Sequence, residues 1–582
     1  MTNVRDTSQP MKTTRPRPSG AAVAERITAI FQIDGHGYDV VLTADCLSWT
    51  PLSGERKGRS KKSAGFFRRL KGKGDDQVKD PEDDFKVTLR DILGVTMKRQ
   101  YNMNPQAGVC VGVEVYTYRI KNRMKCLQSR VVLLEHPSEE LCLCWISRMQ
   151  QVIDGFKERP RSLKVFLQPY AGAKASRFLY NQKVLPLLEA AKMKLDLTDL
   201  QHNEQIKQEM IHLDLAEYDT IVCVGGDGTA NKVVNELLKR VQKDHDVSLK
   251  PGCCVIRPTV AVGIIPVGTT NDIANTVQGV ADITTAVVHI ILGHRVSVDV
   301  CSVYEKGKFL QFAFNSHFGF FGNATKFLHR YTVIGEKKVE AAVLKALTTS
   351  KFRSYDCEVA YIPAETEEDD KPFDYTMCSS SCGVCSSDKT ETTLLEPLCV
   401  SNTSSGIRAL STTGSDSEDT RWRVIKAHVL SVSVLSIAGM SELAPLGLGT
   451  YTHLADGCVD LVLVKGLKSS SDNSSPRSSR SHGARFDFPF IECHRCTEVR
   501  VRACSGVQPS WTNVNHAFSQ VEVKEQSKKF DNGVEVIDDL NSDGSDTDDT
   551  SSVSTSDSRQ VCPVHMLCEI LNLLGYYITN NV

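Results

Sequence analysis

The segment IVCVGGDGTANKVVNELL, Ile221 to Leu238, decides the fold expected for this 582-residue chain. It joins an apolar run to a turn with three glycines and one aspartate, and a helical pattern follows directly. A strand that ends in glycines at the start of a helix directs backbone N–H groups and the positive helix end towards a phosphate. The segment therefore predicts a phosphate-binding turn, where Asp227 can hold Mg²⁺ or take a proton from an attacking hydroxyl.

The flanking sequence repeats this pattern of strand, glycine turn and helix. Apolar segments that begin near residues 162, 194, 219 and 259 alternate with amphipathic ones, and a second turn, PVGTTND (266–272), follows the last of them. Strands that alternate with helices form parallel sheets, whose ligands gather at the carboxyl ends of the strands. Both turns are therefore expected to face one cleft.

The sequence before residue 160 has a different pattern of apolar and polar residues. Residues 1–24 are rich in Pro, Arg, Thr and Ser and are predicted to be disordered. From 25 to 157, short segments have the two-residue period of strands. They end in a helical pattern with Ser138 as the N-cap and Leu141, Trp145 and Met149 on one face. Antiparallel strands closed by one such helix resemble a pleckstrin homology domain.

A basic run, RKGRSKKSAGFFRRLKGKG (56–74), lies inside this region. It carries nine Lys or Arg, no acid, and the apolar residues Phe66, Phe67 and Leu70. It is either a solvated loop or a surface for anionic membrane lipids such as phosphoinositides, which basic residues beside insertable aromatic ones suit. The same run also fits a nuclear localisation signal, and the two uses are compatible.

The chain from 298 to 523 changes to strand-like segments and is predicted to form a second, mostly β lobe. Low-complexity inserts at 364–420 and 468–484 are predicted to be disordered, as is the acidic tail at 524–560. Residues 561–582 are apolar enough for a short helix.

Three cysteines in the first insert, Cys378, Cys382 and Cys385, have a C-x3-C-x2-C spacing that a metal site can use. Structural zinc needs four ligands, and Cys357, Cys399 or a histidine could supply the last one. The alternative is three free thiols in a flexible insert.

Composition favours an ordinary globular protein: 41% of the residues are apolar, and a net charge of −1 gives no support for nucleic-acid binding. The N-terminal residues lack the apolar core of a secretory signal, and no apolar run reaches the roughly eighteen residues of a spanning helix. Twenty cysteines without an export signal point to a reducing compartment. An intracellular protein with peripheral membrane contact is therefore expected.

The motifs VGGDGT, GIIPVGTTNDIA and LADGCVDLVLV resemble, in content and order, the catalytic domain that diacylglycerol, sphingosine and ceramide kinases share. The resemblance spans residues 160–500, and the ceramide kinases and ceramide kinase-like proteins, which also carry an N-terminal pleckstrin homology domain, look most similar. It implies an α+β and α/β multidomain protein. Its parts would be a pleckstrin homology-like β-barrel (25–157), an α/β nucleotide-binding lobe (160–297) and a mostly β second lobe (298–523).

The resemblance also implies an activity: transfer of the γ-phosphate of ATP, with Mg²⁺, to the primary hydroxyl of a lipid such as ceramide. Asp227 would act as the catalytic base or metal partner. The residues that would hold nucleotide and substrate are Pro169, Gly172, Gly225, Gly226, Gly228, Thr229, Gly268, Thr269, Asn271, Asp456 and Gly457.

Several positions depart from the family pattern. Gln168 replaces an Asn in the first phosphate loop, Lys232 replaces a Glu five residues after Asp227, and Asn323 replaces an Asp at the lipid-binding edge. A late Asp-Gly-Glu-type segment is not recognisable near PSWTNVNHAF (509–518). Lys232 could neutralise a phosphate or pair with Asp227, and such a pair would lower the proton affinity of the carboxylate.

Three functions therefore stay open: a lipid-binding or regulatory protein with impaired phosphotransfer, an active ceramide or diacylglycerol kinase, and a nuclear or membrane adaptor. The expected partners are ceramide or a related sphingolipid, anionic phosphoinositides, and proteins that bind the acidic and serine-rich segments. Nucleic acid is not expected as a substrate. The expected location is the cytoplasm and the Golgi or endoplasmic reticulum membranes, with a nuclear or nucleolar pool if the basic run acts as a signal.

Overall fold

The structure is a computed structural model and describes residues 26–52, 85–101, 108–121, 126–172, 175–202, 204–253, 255–330, 341–346, 354–364, 378, 382, 385, 421–441, 444–449, 451–466 and 490–503. The chain divides into two compact units, one of residues 1–119 with 129–157 and one of residues 120–128 with 158–582. The predictions for 1–24, 56–74, 468–484, 509–518, 524–560, 561–582 and most of 364–420 lie outside the described residues.

The first unit is built on a seven-stranded sheet and one helix. Its elements are β1 (Ile27–Ile33), β2 (His36–Leu42), β3 (Cys46–Pro51), β4 (Lys86–Thr88), β5 (Gly94–Gln100), β6 (Val109–Lys121), β7 (Cys126–Glu135) and α1 (Glu139–Asp154). The strand order is β4-β3-β2-β1-β7-β6-β5. Among the described residues this is an open series of strands, so the pleckstrin homology-like barrel stays a prediction.

Helix α1 covers the core of that sheet, as its sequence pattern predicts. Ser138 accepts a hydrogen bond from the backbone N–H of Leu141 and so caps the helix. Trp145 and Met149 are buried, and the Trp145 ring meets Phe31 edge to face, with the ring centroids 5.0 Å apart. An aromatic pair in this geometry stabilises a core by about 1 kcal/mol beyond its buried area.

The second unit begins with a parallel sheet, as the alternation of strands and helices predicts. Its strands are β8 (Ser162–Leu167), β9 (Lys194–Asp199), β10 (Thr220–Gly225) and β11 (Ala261–Pro266), in the order β11-β10-β8-β9. The helices are α2 (Ser176–Leu179), α3 (Leu185–Ala190), α4 (Glu204–His212), α5 (Asp227–Asp244), α6 (Asp272–Gln278) and α7 (Ile283–Leu292). All six residues of β10 are buried, which places this strand at the centre of the lobe.

A mostly β lobe follows. Its elements are β12 (Cys301–Glu305), β13 (Lys308–Ala313), β14 (Asn315–Gly319), α8 (Phe320–Arg330), β15 (Tyr355–Pro363), β16 (Arg423–Leu435), β17 (Val459–Lys465) and β18 (Ile491–Ala503). Strands β16, β15, β18 and β17 pair in that order, and β17 pairs again with β16, so the four strands close on themselves. This closure pairs the backbone groups along the edges of β16 and β17, the two outer strands of the four. Strand β14 extends the sheet beside β16.

The helices that the structure describes contain none that is long and apolar enough to cross a lipid bilayer.

One histidine in the β lobe makes stability depend on pH. His317 lies opposite Ser433 in the β14–β16 pair, and its Nδ1 is 2.9 Å from the Ser433 Oγ. Burial lowers the pKa of His317 to about 4, from an ordinary value of 6.5. Because the folded pKa is depressed, the stabilisation by the neutral ring is complete above pH 6.5 and is lost as the pH falls towards about 4.

We expect the unmodified protein to lose up to about 3 kcal/mol of unfolding free energy between pH 6.5 and 4 through this group. His317→Asn keeps a partner for Ser433 and removes the titration, so it should flatten this part of the pH profile. Urea denaturation across that range measures the difference, with exposed His245→Asn as the control. An unchanged profile in His317→Asn would contradict the assignment.

Candidate functional site

Three turns meet at the carboxyl edge of the parallel sheet. A Cβ on Gly268 would lie 2.2 Å from the Cα of Gly226, and a Cβ on Gly172 would lie 2.6 Å from the carbonyl oxygen of Val267. No side chain fits at such separations, so these glycines are required for the backbones to touch. The first loop, the GGDGT turn and the PVGTTND turn thus form one surface, as the positions of the strands predict.

Asp227 joins two of these turns through its carboxylate. Its oxygens accept the backbone N–H groups of Asp272, at 2.9 Å, and Ile273, at 2.8 Å, while its own N–H donates to the Thr270 carbonyl at 3.2 Å. The first N–H groups of a helix have no partner within it, and the Asp227 oxygens supply the acceptors for those of α6. Asp227 therefore caps α6 from the start of α5, although it belongs to a different helix.

The environment of Asp227 sets its proton affinity. Only 3% of the residue is exposed, and burial raises the pKa of its carboxyl, while the hydrogen bonds from Ile273, Asp272 and Thr270 lower it. A carboxylate has about four acceptor positions, so three bonds leave room for one further proton or ligand. A raised pKa suits a general base, and the same group is also a structural acceptor.

The start of α5 is suited to a phosphate group. Gly226, the N-cap residue, offers no side-chain cap to this 18-residue helix, so the first turn relies on other acceptors. Thr229 is buried in that turn, against Gly225. The residues present thus fit the phosphates of ATP, with Gly225, Gly226, Gly228 and Thr229 around them. ATP with Mg²⁺ would supply the phosphoryl group and its charge neutralisation.

Asn271 has its amide committed inside the second turn. Its Oδ1 accepts from the Gly268 N–H at 3.0 Å, and its Nδ2 donates to the Gly268 carbonyl at 3.0 Å. The residue therefore shapes the turn around Gly268 and Thr269. The first loop uses Gln168 in a similar way, because its Oε1 accepts from the Tyr170 N–H at 3.4 Å beside Pro169.

Lys232 does not pair with Asp227 among the residues that the structure describes. Its Nζ is 2.8 Å from an oxygen of Glu204 on α4 and 3.5 Å from one of Glu236 on its own helix. Five residues along an α-helix turn the side chain by about 140°, so Lys232 points away from the Asp227 side. The predicted alternative of a Lys232–Asp227 pair is therefore wrong, and two carboxylates hold the cation instead.

Two asparagines on α5 are features that the sequence reasoning missed. Asn231 and Asn235 are buried at four-residue intervals after Asp227. The Oδ1 of Asn235 accepts from the Phe312 N–H at 2.9 Å, whereas the buried Oδ1 of Asn231 has no hydrogen-bond partner within the described part of the chain. Their spacing of four after Asp227 was the available signal, since polar residues at i, i+4 and i+8 share one face.

The LADGCVD segment is held by a buried charge network. Arg495 on β18 donates to Asp456 and, at 2.8 Å, to Asp460. Asp299 accepts from the Gly457 N–H at 2.6 Å. Burial raises the pKa of the Asp299 and Asp460 carboxyls. Asp456 and Gly457 thus lie on a fixed loop, and Arg495, which no short motif marks, is the residue that fixes it.

Helix α6 connects the phosphate turns to the second lobe. The Thr276 Oγ1 accepts from the Met440 N–H at 3.0 Å, and the Asn275 Nδ2 donates to the Met440 carbonyl at 3.3 Å. Asn323 lies in the first turn of α8, whose apolar residues pack in a different core cluster from that of Ile273 on α6. The helix that carries Asn323 therefore packs in a different core from the helix that Asp227 caps.

These features define a class: an α/β lobe with glycine turns of the phosphate-binding type, joined to a β lobe that carries a fixed Asp-Gly loop. Comparison with known proteins agrees. Residues 162–303 match the model of the diacylglycerol kinase catalytic domain, and residues 385–536 match that of the ceramide kinase C-terminal domain. The chain belongs to the lipid kinase family, of the ceramide kinase type.

Individual relatives are distant. The human ceramide kinase-like protein is 28% identical over 510 residues, which cover 82% of each chain. Human ceramide kinase is 27% identical over 361 residues, which cover 62% of this chain and 65% of that enzyme. A solved structure of a putative diacylglycerol kinase from Bacillus anthracis covers 60% of this chain and 88% of its own at 14% identity, with a TM-score of 0.35.

Asp227→Ala should destabilise the second unit by about 2–5 kcal/mol, because the half-buried N–H of Asp272 and the buried N–H of Ile273 would lose their acceptor. Asp227→Asn, which keeps one acceptor oxygen, should fall between Ala and the unmodified chain. Urea denaturation measures both, with the exposed Glu217→Gln in the same lobe as the control. Equal midpoints for Asp227→Ala and Glu217→Gln would show that the carboxylate does not support the fold.

Proposed function

We propose that this protein is a sphingolipid-binding member of the family that keeps the nucleotide turn but has impaired or absent phosphotransfer to ceramide. The observation that carries the proposal is the Lys232 cation between Glu204 and Glu236. The family has a glutamate at that position of the helix. Here the charge of the position is reversed, and Lys232 together with Lys239, whose Nζ is 3.6 Å from Glu236, balances the two carboxylates within the protein itself.

The residue at position 232 sets the local charge near the start of α5. A carboxylate at position 232 would add negative charge beside Glu204 and Glu236, a setting that attracts a divalent cation. A lysine at position 232 adds a fixed positive charge, so the neighbouring carboxylates no longer attract a divalent cation. Loss of one positioned electrostatic or acid–base group commonly lowers a rate by 10²–10⁴-fold.

A second candidate function, an active ceramide or diacylglycerol kinase, rests on what the site retains. Asp227 is buried with a raised pKa, the two glycine turns touch, and Asp456 and Gly457 stand on a fixed loop. These are the parts that a working phosphate site needs. The two candidates therefore differ in whether Lys232 and Asn323 suppress turnover.

The test is transfer of labelled phosphate from Mg-ATP to ceramide in mixed micelles. The unmodified full chain should show no transfer above a protein-free control. Lys232→Glu combined with Asn323→Asp restores both acidic positions beside Glu204 and Glu236, so it should raise the rate by at least about 100-fold. Lys232→Met with Asn323→Ala is the matched control and should stay at background.

One outcome would reject impaired phosphotransfer, and another would reject its proposed cause. Clear ceramide phosphorylation by the unmodified chain would establish the second candidate. Equal background rates in all three proteins, with nucleotide binding retained in each, would show that Lys232 and Asn323 are not what disables the site. Diacylglycerol and sphingosine in parallel assays would identify the lipid that an active form prefers.

Membrane contact is proposed to depend on the basic run at 56–74. Each basic residue near an anionic surface contributes about 1 kcal/mol to binding, so deletion of this run should abolish sedimentation with vesicles that contain phosphatidylserine and phosphoinositide. Replacement of its nine Lys and Arg by Gln, with Phe66 and Phe67 kept, separates charge from insertion. Unchanged binding after the deletion would exclude this run as the membrane contact.

A further inference from the structure

Four potential metal ligands converge in the second unit. They are the sulfur atoms of Cys378, Cys382 and Cys385 and a ring nitrogen of His453, and all four lie within 4.8 Å of one another. The sequence reasoning named the three cysteines and left the fourth ligand open. His453 is the fourth potential ligand; it lies 68 residues beyond Cys385, in the loop before β17.

The separations between the ligand atoms fit a tetrahedral centre. The Cys382 and Cys385 sulfurs are 3.8 Å apart, as are those of Cys385 and Cys378. Zinc–sulfur bonds of about 2.3 Å in a tetrahedron place two sulfurs about 3.8 Å apart, whereas a disulfide holds them at about 2.05 Å. The His453 Nδ1 is 3.2 Å from the Cys382 sulfur, slightly inside the roughly 3.5 Å of a shared zinc ion.

Burial strengthens the case for a ligand. Only 1% of His453 and 6% of Cys378 are exposed, while the other two cysteines are half-buried. His453 directs Nδ1 at the sulfur atoms, and its Nε2 has no hydrogen-bond partner in the part of the chain that the structure describes. Burying a histidine ring with few hydrogen bonds to its nitrogens costs free energy. Coordination of Nδ1 by a metal offsets part of that cost.

The site is built into the fold at two points. The Cys378 N–H donates to the Thr452 carbonyl at 2.9 Å, next to His453 in the chain. The three cysteines pack in the core cluster that contains Leu454 and Ile273, the α6 residue whose N–H binds Asp227. The ligand set therefore links the segment that carries the three cysteines to the loop that carries Asp456.

We propose that Cys378, Cys382, Cys385 and His453 bind one structural zinc ion. Three thiolates and one imidazole form a closed set with no carboxylate and no open position, which is typical of structural rather than catalytic zinc. Binding releases the three thiol protons to solvent and leaves a centre of charge −1. Its role is to hold the Asp456 loop against the cysteine segment.

The test is the zinc content of the purified full chain after dialysis, measured by inductively coupled plasma mass spectrometry. About one zinc per chain is expected, and Cys382→Ser and His453→Ala should retain less than about a fifth of it. His453→Cys makes a four-cysteine site and should keep the full content. The exposed Cys144→Ser and Cys253→Ser are controls that should not change it.

A second measurement covers variants that fail to fold. Titration of the unmodified protein with a thiol-reactive mercurial should release zinc in proportion to the cysteines modified, and Co²⁺ in place of zinc should give the intense bands of tetrahedral thiolate coordination. Absence of zinc together with absence of Co²⁺ uptake would overturn the proposal. Full zinc in Cys382→Ser, or a Cys382–Cys385 disulfide in the native protein, would also overturn it.

Zinc content does not depend on phosphotransfer, so this result stands apart from the proposed function. An active kinase that contains zinc would reject impaired phosphotransfer and support the metal site. An inactive protein without zinc would support impaired phosphotransfer and reject the metal site.

Discussion

The second unit depends on one carboxylate shared between two helices. Asp227 begins α5 and accepts the first two N–H groups of α6, so the two glycine turns cannot separate without leaving buried donors unpaired. Helix α6 in turn holds Met440 in the second lobe through Asn275 and Thr276. The residue that the family resemblance assigns to chemistry is therefore also the residue that positions the rest of the site. Loss of activity in an Asp227 variant would not by itself identify a base.

Charge compensation within the protein characterises the middle of α5. Lys232 lies between Glu204 and Glu236, and Lys239 also pairs with Glu236, so two cations balance two carboxylates in the middle of α5. The buried Asn235 also donates to Glu236. A network of this kind is stable without a bound ion and needs no ligand to balance it. The phosphate turn at the start of the helix keeps its geometry, because its glycine contacts and the Asp227 cap do not involve Lys232.

The sequence predicts the parallel sheet, its glycine turns and the α1 cap well because each rests on local pattern. Apolar periodicity defined β10, and glycines before a helix defined the start of α5. The capping role of Asp227, the Arg495 network and the His453 contact were beyond reach for a physical reason: each joins residues far apart in the chain. The pairing of Lys232 could not be predicted from local pattern either, since its partner Glu204 is 28 residues away and on another helix.

The central claim is that the nucleotide turn survives while turnover does not, and one sample can test both parts. Calorimetric titration of the unmodified full chain with Mg-ATP, followed by addition of ceramide micelles and measurement of ADP, reports binding and transfer together. The account predicts saturable binding of about one nucleotide per chain and no ceramide-dependent ADP. ADP that accumulates only when ceramide is present would contradict it.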